Sequence, residues 1–146
     1  MSSKVIQYSF QYRPIIYVLL ENTHDSSVPP LRFAALIDTG ATISTVPFSA
    51  CKTLKHTFEQ GTSPTSVFGV GGSRRIFVHA TRLTVLEPVI NGVMVPPSKP
   101  IFEAIDFQLT FVEQHLSFVL LGQKDFLQHF KYVQNAQAGW FSLERI

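Results

Sequence analysis

The chain has 146 residues and a formal net charge of +2, and 45% of its residues are hydrophobic. This length suits one domain with a substantial core, and the apolar content, which includes 13 phenylalanines, excludes a disordered chain. With nearly balanced charge and no long basic run, the sequence indicates neither nucleic acid nor a membrane as a partner.

The single cysteine, Cys51, excludes an intrachain disulfide and fits a reducing compartment. The N-terminal segment lacks an apolar stretch of signal-peptide type, and no segment approaches the roughly 18 apolar residues of a membrane span. We therefore expect one domain over residues 1–146, located in the cytoplasm.

Strand signals dominate the first part of the chain. Runs rich in β-branched and aromatic residues predict strands at Val5–Phe10, Ile15–Glu21 and Leu31–Asp38. The polar segment Glu21–Pro30 predicts the loop before the third strand. The segment "VPFSACKTLKHTF" then gives a weak helical signal, with Pro47 near the start.

The second part continues with strands and one helix. Thr65–Leu86 predicts a long hairpin around a glycine cluster, and Asn91-Gly92 predicts a tight hairpin turn. The alternation in "AIDFQLTFVE" predicts a half-buried strand, and "SFVLLG" and "GWFSLERI" predict two more. In "QKDFLQHF" the apolar spacing is helical. The chain is thus predicted to be mostly β, closer to a barrel than to alternating β and α units, with one short helix near the C-terminus.

Asp38 raises a specific question, because it directly follows Leu36 and Ile37 at the inner end of a predicted buried strand. Burial disfavours the charged form of a carboxylate that has no partner. Either the acid is satisfied locally, as a turn aspartate that caps its own backbone, or it is held there for chemistry.

Three motifs follow one another in a fixed order: an acid turn, a glycine-rich hairpin tip and an apolar-apolar-glycine segment before a helix. They are Asp38-Thr39-Gly40, Gly69-Val70-Gly71-Gly72 and Leu120-Leu121-Gly122. The chain "LRFAALIDTGATISTVP…VFGVGG…LLGQKDFLQHF" resembles the retropepsin-like aspartic proteases, the single-domain relatives of pepsin. It looks more like the stand-alone prokaryotic members than like the viral ones.

The resemblance implies a closed-barrel acid-protease fold that is active as a twofold homodimer, since the chain has only one such acid turn. It implies an aspartic endopeptidase that needs no cofactor and no metal and that acts on polypeptides, with an acidic to mildly acidic optimum. Two carboxylates that share one proton would activate a water, because like charges at that distance do not both ionise easily.

The resemblance also assigns roles to residues. The catalytic turn would be Asp38, Thr39 and Gly40; the substrate-binding residues would be Ala41, Thr42, Ile43, Gly69, Val70, Gly71 and Gly72; and Leu120, Leu121 and Gly122 would support the site from behind. Apolar substrate pockets would be lined by Ile43, Val46 and Val70. Two positions depart from the viral pattern: Thr42 and Gln123 stand where viral members usually carry an acid and an arginine that pair with each other.

Alternative interpretations remain open at the level of sequence. The same fold could serve as a peptide-binding module with weak or no hydrolysis, or as a protease excised from a retroelement polyprotein. Other motifs are poor: the glycine cluster lacks the nucleotide-loop pattern, and no G-x-S-x-G element exists. The five histidines are scattered, so surface or partly buried positions are expected for them, and Cys51 is expected in a helix or core.

Overall fold

The computed structural model describes residues 5–9, 13–61, 75–87, 99–113 and 116–146. The strands are β1 (Val5–Ser9), β2 (Ile15–Asn22), β3 (Leu31–Ile37), β4 (Thr45–Pro47), β5 (Ile76–Val85), β6 (Ile105–Val112), β7 (Val119–Leu121), β8 (Phe130–Asn135) and β9 (Trp140–Arg145). One α-helix, α1 (Phe48–Thr53), and two 3-10 helices, η1 (Phe58–Gln60) and η2 (Leu127–His129), complete the described elements.

Six strands close into a barrel in the order β2-β3-β7-β4-β6-β5. The remaining three form a separate antiparallel sheet in the order β1-β9-β8, so the last strand pairs on both sides within its own chain. The mostly-β, barrel-like architecture predicted from the sequence is confirmed.

Hydrophobic alternation determines which strand faces form the core. In β2, Ile16, Val18 and Leu20 are almost completely buried while their neighbours are partly exposed, as the period of two requires. In β6 the alternation begins as predicted, but the four residues 109–112 are all buried. The second half of β6 lies between β4 and β5, so both of its edges are paired.

The helical predictions are confirmed in position and adjusted in extent. Pro47 precedes α1, in the place where the sequence indicated a helix start. Near the C-terminus only η2 is helical, and it follows four turn residues. There the amides of Leu127 and Gln128 bond to carbonyls five residues back, which is not the α-helical spacing.

Two predicted hairpin turns cannot be compared with the structure. Gly69–Gly72 and Asn91-Gly92 lie outside the described residues, and so does the first arm of the long hairpin. Its second arm is confirmed as β5, which pairs with β2 and β6.

Candidate active site

The acid turn lies at the end of a parallel strand pair. In β3 and β7, Leu36 pairs with Leu120 and Ile37 with Leu121. Parallel strands end at the same edge, so the residues that follow them, Asp38 and Gly122, emerge side by side. The amide of Asp38 donates to the Leu121 carbonyl at 2.9 Å, which extends the ladder by one more bond.

The turn itself is closed by Asp38. Its Oδ1 accepts the amide of Gly40 at 3.0 Å, and its carbonyl accepts the amide of Ala41 at 3.1 Å. A Cβ on Gly40 would lie 3.3 Å from the same Oδ1, so glycine allows the carboxylate to stay close to the backbone. Asp38 therefore does cap its own turn, and this local bond also fixes the direction of its carboxylate.

The segment after β7 braces this turn from the other side. The amide of Gln123 donates to the Ala41 carbonyl and that of Lys124 to the Thr42 carbonyl, both at 2.9 Å. The side-chain amide of Gln123 also donates to the Thr39 carbonyl. A neutral side chain thus spans the acid turn.

Gly122 makes the close approach of these two segments possible. A Cβ at this position would lie 2.5 Å from the carbonyl carbon of Ile43 and 2.6 Å from its oxygen. Real Cβ atoms do not come that close to a backbone, so any side chain would separate the segments.

A buried serine and an aspartate connect the same elements. Ser44 is 0% exposed. Its Oγ donates to Asp125 Oδ1 at 2.6 Å, and its amide donates to Oδ2 at 2.8 Å. The amide of Gly122 in turn donates to Ser44 Oγ at 2.9 Å. Both hydrogen bonds to the carboxylate are charge-assisted and therefore stronger than bonds between neutral groups.

Sequence reasoning missed this pair. The motifs assign no role to either residue, because 81 residues separate the two. Their positions in the sequence were the available signal. Ser44 lies a few residues after the acid turn and Asp125 a few residues after Gly122, and the parallel β3–β7 pair brings both motifs to one edge of the barrel.

The described site residues differ in exposure. Thr39, Gly40 and Thr42 are exposed, whereas Asp38, Ala41 and Ile43 are partly buried. Behind them Leu121 and Gly122 are buried, and Leu120 is partly buried. Val46 is 0% exposed, so the expectation that it lines a substrate pocket is wrong for this chain: its side chain belongs to the barrel core.

Residues Gly69, Val70, Gly71 and Gly72, which were predicted to cover the substrate, lie outside the described residues.

Known structures share this arrangement of strands. The structure of a retropepsin-like aspartic protease from Rickettsia conorii is similar with a TM-score of 0.60 and 15% identity, over 99% of this chain and 94% of that one. The chain has a retropepsin-like fold. This confirms the resemblance noted from the sequence motifs.

Two further structures are similar with lower TM-scores. EIAV protease, complexed with the inhibitor HBY-793, has a TM-score of 0.45 at 22% identity, over 77% of this chain and 84% of that one. The retroviral protease-like domain of Ddi1 from Leishmania major has a TM-score of 0.49 at 16% identity, over 84% and 82%. No family model and no curated protein matches the sequence.

Beyond the acid turn, the described residues form neither a nucleophilic cysteine site nor a metal site. The Cys51 thiol is buried, and desolvation together with the charge of Glu59 raises its pKa to about 11, so it stays protonated. Within the described ranges, no three His, Cys, Asp or Glu side chains are grouped so that they could hold a metal ion. No helix in the same ranges is both long and apolar enough to cross a membrane.

Proposed function

We propose that the chain is an aspartic endopeptidase that acts as a homodimer. A water activated between two Asp38 carboxylates, one from each subunit, hydrolyses the peptide bond. The observation that carries this proposal is the acid turn: one Asp-Thr-Gly sequence, held at the edge of the barrel by backbone bonds on both sides. The retropepsin-like fold supports protease activity at the level of the fold.

The chemistry follows from two carboxylates at short range. They repel when both are charged, so the pair retains one proton between them. The ionised member takes a proton from a water while the water oxygen attacks the carbonyl carbon. The protonated member donates a hydrogen bond to the carbonyl oxygen as negative charge develops there. Transfer of a proton to the amide nitrogen then accompanies cleavage of the C–N bond.

The remaining turn residues have supporting roles in this proposal. Thr39 bonds across the twofold axis and keeps the two turns aligned, with each net hydrogen bond contributing about 0.5–1.5 kcal/mol. Gly40 lets the substrate backbone approach and offers its carbonyl. Ala41, Thr42 and Ile43 contact an extended peptide, and the segment Gly69–Gly72 closes over it. Leu120, Leu121 and Gly122 hold the turn from behind.

Cleavage of a peptide library by the purified protein, measured from pH 3 to pH 8, tests this function. We expect cleavage with an acidic to mildly acidic optimum, and a loss of at least about 10³-fold in the Asp38→Asn variant, because the remaining dyad cannot activate water. Asp106→Asn is the matched control, since Asp106 is an exposed acid that pairs with Arg82 on the barrel wall. Its activity should equal that of the wild type.

The same experiment separates the peptide-binding alternative. If wild type and Asp38→Asn both bind library peptides and neither cleaves them at any pH, the chain is a binding module and the proposed activity is wrong.

A further inference from the structure

A cavity separate from the acid turn opens at the other end of β2. Its volume is about 480 Å³, and it lies between the residues that follow β2, the connection from α1 to η1, and β5. Its charged and titratable lining groups are His24, Asp25, Lys55, His56 and His79. It shares no lining residue with the turn around Asp38, because β2 runs antiparallel to β3 and Ile15, at its start, is the residue nearest that turn.

Two of the histidines are stacked. The ring centroids of His56 and His79 lie 4.5 Å apart with 23° between the planes, and both rings meet the edge or face of Phe111. The Nε2 of His79 lies 3.1 Å from the Phe58 carbonyl, an acceptor that fixes the proton on this nitrogen. A Cβ on Gly61 would lie only 2.6 Å from the same nitrogen, so the His79 ring has little room to move.

His56 is the unsatisfied member of the pair. In the described part of the protein its Nε2 is buried and has no hydrogen-bond partner. A neutral ring can leave this nitrogen bare and carry its proton on Nδ1, whereas a protonated ring would bury an N–H without an acceptor. Burial, followed by the neighbouring His79 and His24, lowers the pKa of His56 to about 4.

The charged groups that line the cavity beside His56 favour an anion as its ligand. Lys55, directly before it, supplies an ammonium and has a left-handed backbone (φ 62°), which is uncommon for a residue with a side chain. Asp25, the lining carboxylate among the described residues, already accepts the amide and the hydroxyl of Ser27 at 3.0 and 2.6 Å. From α1, the facing titratable group is the Cys51 thiol, which donates to the His56 carbonyl.

Protonation therefore changes the character of this cavity. Among the described residues, the lining has one ammonium, three imidazoles and one carboxylate that is engaged in its own turn, so a proton added to His56 leaves a net positive charge there. An anion in the cavity would supply the counter-charge and would favour the protonated His56 ring. A volume of about 480 Å³ also accommodates more than a single inorganic ion.

We propose that this cavity binds a small molecule through an oxyanion group, a carboxylate or a phosphate, and that His56 takes up a proton as it binds. The site is independent of peptide cleavage, so its failure or success does not depend on Asp38. Because binding and proton uptake are coupled, affinity rises as the pH falls.

Sulfate is the appropriate first probe, because its charge does not change between pH 4 and pH 8. The histidine ring protons of the full chain are followed by NMR across this range, with and without sulfate, at constant ionic strength maintained with sodium chloride. We expect the midpoint of His56 to rise by about one pH unit and sulfate to bind about fivefold more tightly at pH 4 than at pH 7. His129, next to β8, is the internal reference and should not move.

Two charge-matched variants test the location. Lys55→Asn removes the cavity ammonium with a residue that tolerates the left-handed backbone, and Lys131→Gln removes an exposed ammonium from β8. Sulfate affinity should fall at least about fivefold in the first and stay unchanged in the second. Repeating the titration with succinate and with inorganic phosphate distinguishes the carboxylate from the phosphate source.

Two results would overturn the proposal. One is a His56 midpoint that sulfate does not shift in the wild type, a measurement that needs no variant to fold. The other is equal loss of sulfate affinity in Lys55→Asn and Lys131→Gln, which would show only general attraction of an anion to a basic surface.

Discussion

Ser44 has to satisfy three hydrogen bonds at a place that water does not reach. Its amide and hydroxyl donate to the Asp125 carboxylate, and its Oγ accepts from Gly122 at the end of β7. The carboxylate thereby accepts two hydrogen bonds from Ser44. Ser44 thus connects the chain that follows the acid turn to the segment that follows β7.

Ser44→Ala should therefore lower the free energy of unfolding by about 2–4 kcal/mol. The change leaves the Gly122 amide without an acceptor and the Asp125 carboxylate without one of its two donors, and unpaired buried groups cost more than the mean hydrogen bond. Urea unfolding measures the effect. Ser49→Ala on the exposed side of α1 is the control and should change stability by less than about 0.5 kcal/mol. Equal effects of both substitutions would refute the role assigned to Ser44.

At the scale of elements, the site depends on β7 lying between β3 and β4. β7 runs parallel to β3 and antiparallel to β4, and Gly122 is where its continuation passes the backbone of Ile43. The two segments approach each other closely at this crossing. Separation of the two segments would also break the amide bonds from Gln123 and Lys124 to the acid turn.

Gly122→Ala tests this crossing. We expect a loss of about 3 kcal/mol in urea unfolding, because the added methyl would overlap backbone atoms that cannot rotate away. Gly40→Ala, whose Cβ would meet the Asp38 side chain at 3.3 Å, should cost less than about 1 kcal/mol. The order of the two losses is the discriminating result. A larger loss for Gly40→Ala would mean that the turn, rather than the crossing, sets the stability.

Local sequence patterns predicted the strands and the helix start well, whereas contacts between residues distant in sequence were not predicted. The β-branched and aromatic run of β2, the alternation in the first half of β6 and the proline before α1 each depend on residues close in sequence, and each was confirmed. The Ser44–Asp125 bond and the stacking of His56 on His79 depend on the path of the chain between them. The prediction for Val46 failed for a related reason. An apolar residue beside a motif is equally consistent with a pocket lining and with the core.

At the scale of the whole molecule, acidity favours the proposed reaction and opposes the fold. Unfolded histidine takes up its proton near pH 6.5, whereas burial lowers the pKa of folded His56 to about 4. Between these values the unfolded state binds more protons, so lowering the pH shifts the equilibrium toward unfolding. The acidic limit of activity should then reflect stability as well as the catalytic pair.

Unfolding in urea between pH 7 and pH 4 should show this contribution. We expect the wild type to lose about 1–2 kcal/mol more than His56→Gln over this interval, a value reduced from full desolvation because the ring is partly exposed. His129 contributes in the same direction, because burial and the charge of Arg145 lower its pKa as well. It is present in both proteins, so its contribution cancels in the comparison. Parallel pH profiles for wild type and His56→Gln would contradict this expectation.

The most direct test of the shared catalytic pair uses mixtures of subunits. If each active site needs Asp38 from both chains, a wild-type subunit paired with an Asp38→Asn subunit is inactive. With the wild-type concentration fixed and free exchange of subunits, one equivalent of Asp38→Asn should reduce activity to about one half, and three equivalents to about one quarter. The Asp106→Asn variant, added in the same amounts, should cause no such fall. Activity that stays constant or rises as Asp38→Asn is added, under conditions where sedimentation shows mixed dimers, would mean that mixed dimers with one carboxylate are active.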